Sequence, residues 1–353
     1  MNYEQLSNRA REENILSSVL LELTYGCNLD CTFCYNDLNL RGRRVSLEQY
    51  RSLLDELAIM NVMSLTLSGG EPLLYKHFWE VGAHAREKGF VIKVKSNGVP
   101  LNRRNAQRLK AEVDPFIVEM SLHGARPQSH DRLTQVDGSF ERLLRNIDIL
   151  QSLNLRLKLN AALTCWNEGE VAEMFALADR MGVPLQFDPE ITPRDDGDLS
   201  PLEIAPGKEG IENMVRLSLL RSRVKQDADT LPIKMKANSS ADTRIDPGKH
   251  KVCGAGSTNL TIDPFGNVFP CVQLRRNAGN IHKQSISEIW TGSSELKTVR
   301  DLAGQALLVA RDQGLKQFCM GINEIRTGDA LKSPTSKLEI DQVYQRVDWE
   351  LNS

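Results

Sequence analysis

Three cysteines, Cys27, Cys31 and Cys34, fall within eight residues, directly after an apolar run at 19–23. The C-x3-C-x2-C spacing brings three sulfurs to one metal centre and supplies no fourth. A closed structural zinc site uses four ligands. An iron–sulfur cluster held by three cysteinates keeps one iron open to an external ligand. A zinc knuckle also accommodates three close cysteines, so spacing alone leaves both readings open.

A second motif lies about 35 residues on. The strand-like run 64–68 leads into Gly69-Gly70-Glu71-Pro72. Two glycines let backbone approach a ligand closely, Glu71 offers a carboxylate to an ammonium group, and Pro72 stiffens the exit. Together with Phe33, an aromatic residue just before the third cysteine, these motifs resemble the radical S-adenosylmethionine (SAM) superfamily. The resemblance implies that Cys27, Cys31 and Cys34 hold a 4Fe–4S cluster whose open iron binds SAM. It further implies that Gly69, Gly70, Glu71 and Pro72 receive the SAM amino group.

The net charge of −2 argues against nucleic acid or anionic membrane as the main partner. Arg41, Arg43 and Arg44 cluster after the cysteine loop and read first as a solvated loop, second as a contact for substrate or electron donor. No apolar run is long enough to span a membrane, and the polar N-terminus lacks the apolar core of a signal peptide. A cytoplasmic location is expected. There thiols stay reduced, and seven cysteines read as metal ligands or core residues rather than disulfides.

Strand-like segments at 19–23, 65–68, 90–95, 116–122, 155–163 and 184–188 alternate with helix-like ones at 47–60, 77–88, 103–112, 139–153 and 168–181. Ser46 and Ser139 read as capping serines. The alternation predicts an α/β fold with a parallel sheet and right-handed crossovers: a partial (β/α)6 TIM-like barrel over 15–191, with its motifs at the C-terminal ends of strands. Residues 1–14 read as a polar tail and 192–252 as a linker with a bridging helix at 211–225, the stretch 226–251 remaining unplaced. Residues 253–333 read as a small β-hairpin plus helix domain and 334–353 as a C-terminal tail.

Further pocket candidates follow the strands. Ser96-Asn97-Gly98 ends the third and reads as an ordinary turn or as a ligand contact at Asn97. Ser121-Leu122-His123-Gly124 ends the fourth and resembles a Ser-Leu-Asp-Gly segment of the family, with His123 in place of the acid; Ser121 is then a SAM contact. His130-Asp131-Arg132-Leu133-Thr134 resembles the His-Asp-x-x-Arg stretch that anchors the SAM carboxylate in relatives. Here Thr134 occupies the arginine position, and Arg132 is the nearest guanidinium. Its alternative role is a surface salt bridge. Asn160 and Thr164 read as adenosine contacts or as satisfied strand ends.

Cys253, Gly266 and Cys271 carry a C-x12-G-x4-C spacing around an expected hairpin, and Cys319 follows. This resembles the start of a SPASM or twitch domain. The resemblance implies one auxiliary iron–sulfur cluster on Cys253, Cys271 and Cys319, with Asp329 as a candidate fourth ligand. Buried thiols or a zinc site remain the alternative. Cys165 reads as a core residue.

The resemblance implies that a reduced cluster donates one electron to SAM, and that the resulting 5′-deoxyadenosyl radical abstracts a hydrogen from an unactivated carbon. It points to a maturase that crosslinks or oxidises a ribosomally made peptide, in the pyrroloquinoline-quinone and peptide-maturase branch. A flavodoxin- or ferredoxin-type reductant is the expected partner. About 15 residues precede the first strand, where many peptide maturases carry a leader-binding domain; this counts against the peptide reading unless a separate leader-binding protein supplies that function. A small-molecule radical SAM enzyme of cofactor or antibiotic biosynthesis is the second reading, and a non-catalytic electron-transfer or sensor protein the third. The Gly69 to Pro72 motif argues against the last. Asp188, Glu190 and Asp263 are candidate acids.

Overall fold

The computed structural model describes residues 3–37, 39–228 and 246–353. The unplaced stretch 226–251 falls largely on 229–245, outside the described residues. Nine strands form one sheet: β1 (Ser18–Glu22), β2 (Ser64–Ser68), β3 (Val91–Ser96), β4 (Ile117–Ser121), β5 (Leu157–Ala162), β6 (Leu185–Asp188), β7 (Asn259–Ile262), β8 (Asn267–Phe269) and β9 (Gly279–Asn280). Their order is β6-β5-β4-β3-β2-β1-β7-β8-β9. The first six are parallel, and β6 and β9 do not pair, so the barrel is open.

Helices between the parallel strands supply the outer layer. Leu47–Ile59 begins at Ser46, whose hydroxyl accepts the Gln49 N–H in a reciprocal capping box. It buries Tyr50, Leu53, Leu54 and Leu57 on one face. Each such side chain contributes about 1.5–3 kcal/mol on leaving water. Beneath them Val19, Leu21, Leu65 and Leu67 are fully buried, as expected of a parallel sheet covered on its outer side. The helix Ser139–Ser152 starts differently from expectation. Gly138 is its N-cap, and the Asp131 carboxylate accepts from the Gly138 and Phe140 N–H groups and the Ser139 hydroxyl.

The expected hairpin is present as β7 and β8, antiparallel. Instead of starting a sheet of its own, β7 pairs in parallel with β1, from Ser18↔Asn259 to Leu21↔Ile262. Without β7 the ladder of β1 would be an open edge. The two presumed tails are also helical. Tyr3–Glu12 forms one helix, and Thr335–Asn352 another that buries Ile340, Val343 and Val347 and pairs Glu350 with Arg216 of the helix Lys208–Ala228. Among the described residues no helix is long and apolar enough to cross a membrane.

Candidate functional site

Leaving β1, the chain lies across the end of β2. Gly70 N–H donates to Thr24 O at 2.7 Å and Glu71 N–H to Gly26 O at 3.0 Å. A Cβ on Gly69, whose φ is +131°, would stand 2.3 Å from Thr24 O, and one on Gly70 would stand 2.6 Å from Gly26 O. The two glycines are therefore required by the backbone of the cysteine loop itself. Asp30 and Thr32 N–H groups then donate to Thr134 O and Leu133 O, which fixes the loop on the helix Pro127–Thr134.

A cavity of about 560 Å³ opens at the C-terminal ends of the strands. Cys27, Cys31, Cys34, Phe33, Gly69, Gly70, Asn97 and Ser121 all line it. Burial raises the pKa of all three thiols, and for Cys31 the neighbouring Cys34 and Cys27 add to the rise. Among the described residues no three His, Cys, Asp or Glu side chains are placed to hold a single metal ion. Thr32 Oγ1 and Asn36 Oδ1, within the same loop, are buried with no hydrogen-bond partner among the described residues. Mutually close thiols spread around a cavity fit a polynuclear iron–sulfur cluster, whose separate irons take one thiolate each.

Glu71 stands behind the cavity. Its carboxylate is fully buried and accepts from the Ser96 hydroxyl at 3.0 Å, the Asn97 N–H at 2.8 Å and the Leu73 N–H at 3.2 Å. Burial pushes its pKa up to about 7. Pro72 opens the turn Pro72–Leu74 and is buried. Asn97 reaches forward instead, its Nδ2 donating to Asn28 Oδ1 at 3.0 Å and to Cys27 Sγ at 3.6 Å. Glu71 thus braces the turn that carries Asn97.

His123 lines the cavity and meets Phe33 edge-on, with ring centroids 4.6 Å apart. Its N–H donates to His130 Nδ1 at 3.1 Å, and its own Nδ1 accepts from Ala162 N–H at 3.4 Å. Burial lowers His123 to about 3 and His130 to about 4, so both rings are neutral near pH 7. Arg132 does not reach the cavity. It points outward from the helix, its guanidinium 3.8 Å from the Trp166 ring centroid, while Leu133 and Thr134 take the buried face. Thr164 is also set back, donating to Asn167 Oδ1, whereas Asn160 lines the cavity and donates to Glu119.

The inner wall carries a charged row that the sequence reading missed. Lys95, Glu119 and Lys158 are register partners on β3, β4 and β5. Lys95 Nζ lies 3.1 Å from Glu119 Oε2, and Lys158 Nζ donates to Gln186 Oε1 at 2.6 Å. Charges inside otherwise Val/Ile/Leu-rich parallel strands were the available signal. Of the candidate acids, Asp188 lines the cavity, Glu190 pairs with Lys337 at 3.2 Å, and Asp263 accepts from Phe265 and Asn267 in the hairpin turn.

Cys253, Cys271 and Cys319 converge from three segments. Burial raises Cys271 to about 12, and the nearby Cys253 and Cys319 thiols add to it. Cys319 is the N-cap residue of the helix Met320–Thr327. Asp329 is exposed and accepts the Leu331 N–H. Cys165, expected in the core, is exposed on the loop after β5, where its backbone N–H donates to Ile204 O.

Residues 21–178 match the Radical SAM superfamily, and residues 253–320 match the SPASM iron-sulfur cluster-binding domain. The first implies a 4Fe–4S cluster and SAM, the second an auxiliary iron–sulfur cluster. The chain is 27% identical to the AdoMet-dependent heme synthase of Methanosarcina barkeri over 79% of its own length and 83% of the relative's. It is 28% identical to the mycofactocin maturase MftC of Mycolicibacterium smegmatis, over 79% and 71%. The fold superposes on SuiB of Streptococcus suis with a TM-score of 0.69 at 14% identity, covering 92% of this chain and 77% of SuiB.

Proposed function

We propose that this radical SAM protein, with its C-terminal SPASM domain, modifies a ribosomally made peptide. One observation carries the reading: three thiols and the Gly69-Gly70 turn share a single wide cavity whose far wall is polar and charged. Relatives support the peptide substrate, since MftC is a maturase and SuiB has been crystallised with its precursor peptide SuiA.

In this reading Cys27, Cys31 and Cys34 hold the SAM-binding cluster, and Cys253, Cys271 and Cys319 hold the auxiliary one. When bound, the cluster and SAM supply one-electron cleavage of the sulfonium and hydrogen abstraction from an unactivated C–H bond. The chain's own residues position and shield. Gly69, Gly70, Asn97, Ser121 and Phe33 surround SAM. Glu71 holds the Asn97 turn from behind. Phe33 and the neutral His123 form an apolar, edge-on contact that keeps water from the reacting carbon. Lys95, Glu119 and Lys158 receive polar groups of the substrate. A flavodoxin- or ferredoxin-type protein supplies electrons in the cytoplasm.

A second reading, a small-molecule substrate, is favoured by the similarity to a heme synthase. Anaerobically reconstituted protein, SAM, a strong reductant and any short peptide encoded beside the gene separate the two. A peptide mass change with stoichiometric 5′-deoxyadenosine establishes peptide maturation. An unchanged peptide with a mass change in an added iron porphyrin transfers the function to the second reading.

A further inference from the structure

Two adjacent arginines lie between the thiol triads and face opposite ways. Arg275 is four residues after Cys271, and its guanidinium grips the Glu22 carboxylate bidentately, at 2.9 and 2.8 Å. Glu22 ends β1, is fully buried, and stands five residues before Cys27. The Tyr25 hydroxyl donates to the same carboxylate at 3.0 Å, and Tyr25 lines the cavity. Arg275 Nε also lies 3.1 Å from Asp195 Oδ2, and Asp195 N–H donates to the carbonyl of Tyr35, the neighbour of Cys34.

Arg276 turns the other way. Its Nε donates to Glu324 at 2.9 Å, and Nη1 donates to Glu295 at 3.2 Å. Glu324 is on the helix that Cys319 begins. The Leu274 N–H donates to Cys271 Sγ at 3.3 Å, so the segment carrying both arginines is also tied to that thiol. One dipeptide therefore grips Glu22, at the base of the first cysteine loop, with one side chain and Glu324, on the helix that Cys319 begins, with the other.

We infer that Arg275 and Arg276 are positioning residues that couple the two centres: filling the Cys253–Cys271–Cys319 site sets the cysteine loop at the cavity and so raises its affinity for SAM. The coupling runs through rigid, bidentate contacts with two carboxylates. Bidentate arginine forks fix orientation as well as distance. The inference rests on the radical SAM reading of both triads and requires no peptide substrate.

The test is equilibrium binding of SAM to the reconstituted full-length protein, with iron counted per chain. Wild type, Cys271→Ala, Arg275→Gln and the double variant form a cycle. Coupled residues in one network depart from additivity, whereas independent ones add. Each single change is expected to weaken SAM binding roughly 5- to 10-fold, and the double change no further. The perturbation of the first centre's EPR signal on adding SAM should weaken in the same variants. Wild-type SAM affinity in Cys271→Ala, with its iron confirmed lost, overturns the inference whatever becomes of Arg275→Gln. Losses that multiply in the double variant overturn the role of the arginine. If Arg275→Gln does not fold, Asp195→Asn replaces it in the cycle. Absence of SAM binding by wild type removes the radical SAM reading, and this inference with it. A missing peptide product touches only the choice of substrate.

Discussion

The Thr24 carbonyl occupies the space where a Cβ of Gly69 would be, 2.3 Å from that position. This contact packs the cysteine loop against the end of β2, and the +131° φ of Gly69 allows it. Gly69→Ala is expected to cost at least about 2 kcal/mol, from strained backbone and overlap together. Thermal unfolding with and without SAM measures it. An unchanged midpoint with full SAM binding would show that the loop can rest elsewhere.

Cys31 is the central thiol of the first triad; burial raises its pKa, and both neighbouring thiols add to the rise. Cys31→Ala should abolish 5′-deoxyadenosine release and remove about one cluster's iron, since a cluster left with two cysteines is not retained. Iron and sulfide assays together with the visible absorption of the protein report this. Persistent SAM cleavage would mean that the first cluster sits elsewhere.

His123 and His130 are held neutral by burial, near 3 and 4. In the unfolded chain a histidine takes up its proton near 6.5. The stability these groups contribute is therefore present above about pH 6.5 and lost as the pH falls towards 4. The slope is about 1.4 kcal/mol per pH unit for each ring. Buried Glu71 and Asp195, raised to about 7 and about 6, act with the opposite sign over part of that range. The difference between wild type and His130→Gln isolates what His130 contributes. Midpoints measured from pH 4.5 to 7.5 should converge at the acid end, and parallel curves would show that His130 does not titrate on unfolding.

Glu22 and Arg275 form a buried pair with side-chain exposures of 0% and 16%. Arg275→Met should destabilise by about 3–5 kcal/mol, because the Glu22 carboxylate is left buried and unpaired. Glu22→Gln in the same chain should recover most of the loss. Chemical denaturation of the cluster-free protein measures both. A double variant as unstable as the single would place the effect in packing against Phe269, whose ring centroid lies 5.1 Å from the Arg275 guanidinium.

Local pattern carried much of the architecture. The six barrel strands lie within about two residues of their expected bounds, because apolar runs between turn formers are a property of short segments. Ser46 announced its helix for the same reason, since an N-cap is made within one turn. The helices Tyr3–Glu12 and Thr335–Asn352 were missed. Their mixed polar composition acquires an inner face only where the barrel provides one.

The sequence by itself determined the chemistry on offer: three thiols in one loop, a Gly-Gly-Glu-Pro turn, three later thiols around a hairpin. Those depend on residue type and on spacing along the chain. Tertiary structure alone decided which way each group faces. It turned Glu71 inward to Ser96 and Asn97, stacked Arg132 on Trp166 away from the cavity, and laid β7 against β1. It also brought Arg275 to Glu22 across 253 residues of chain. A side chain's direction is set by what packs on the far side of its element, and that neighbour is remote in sequence.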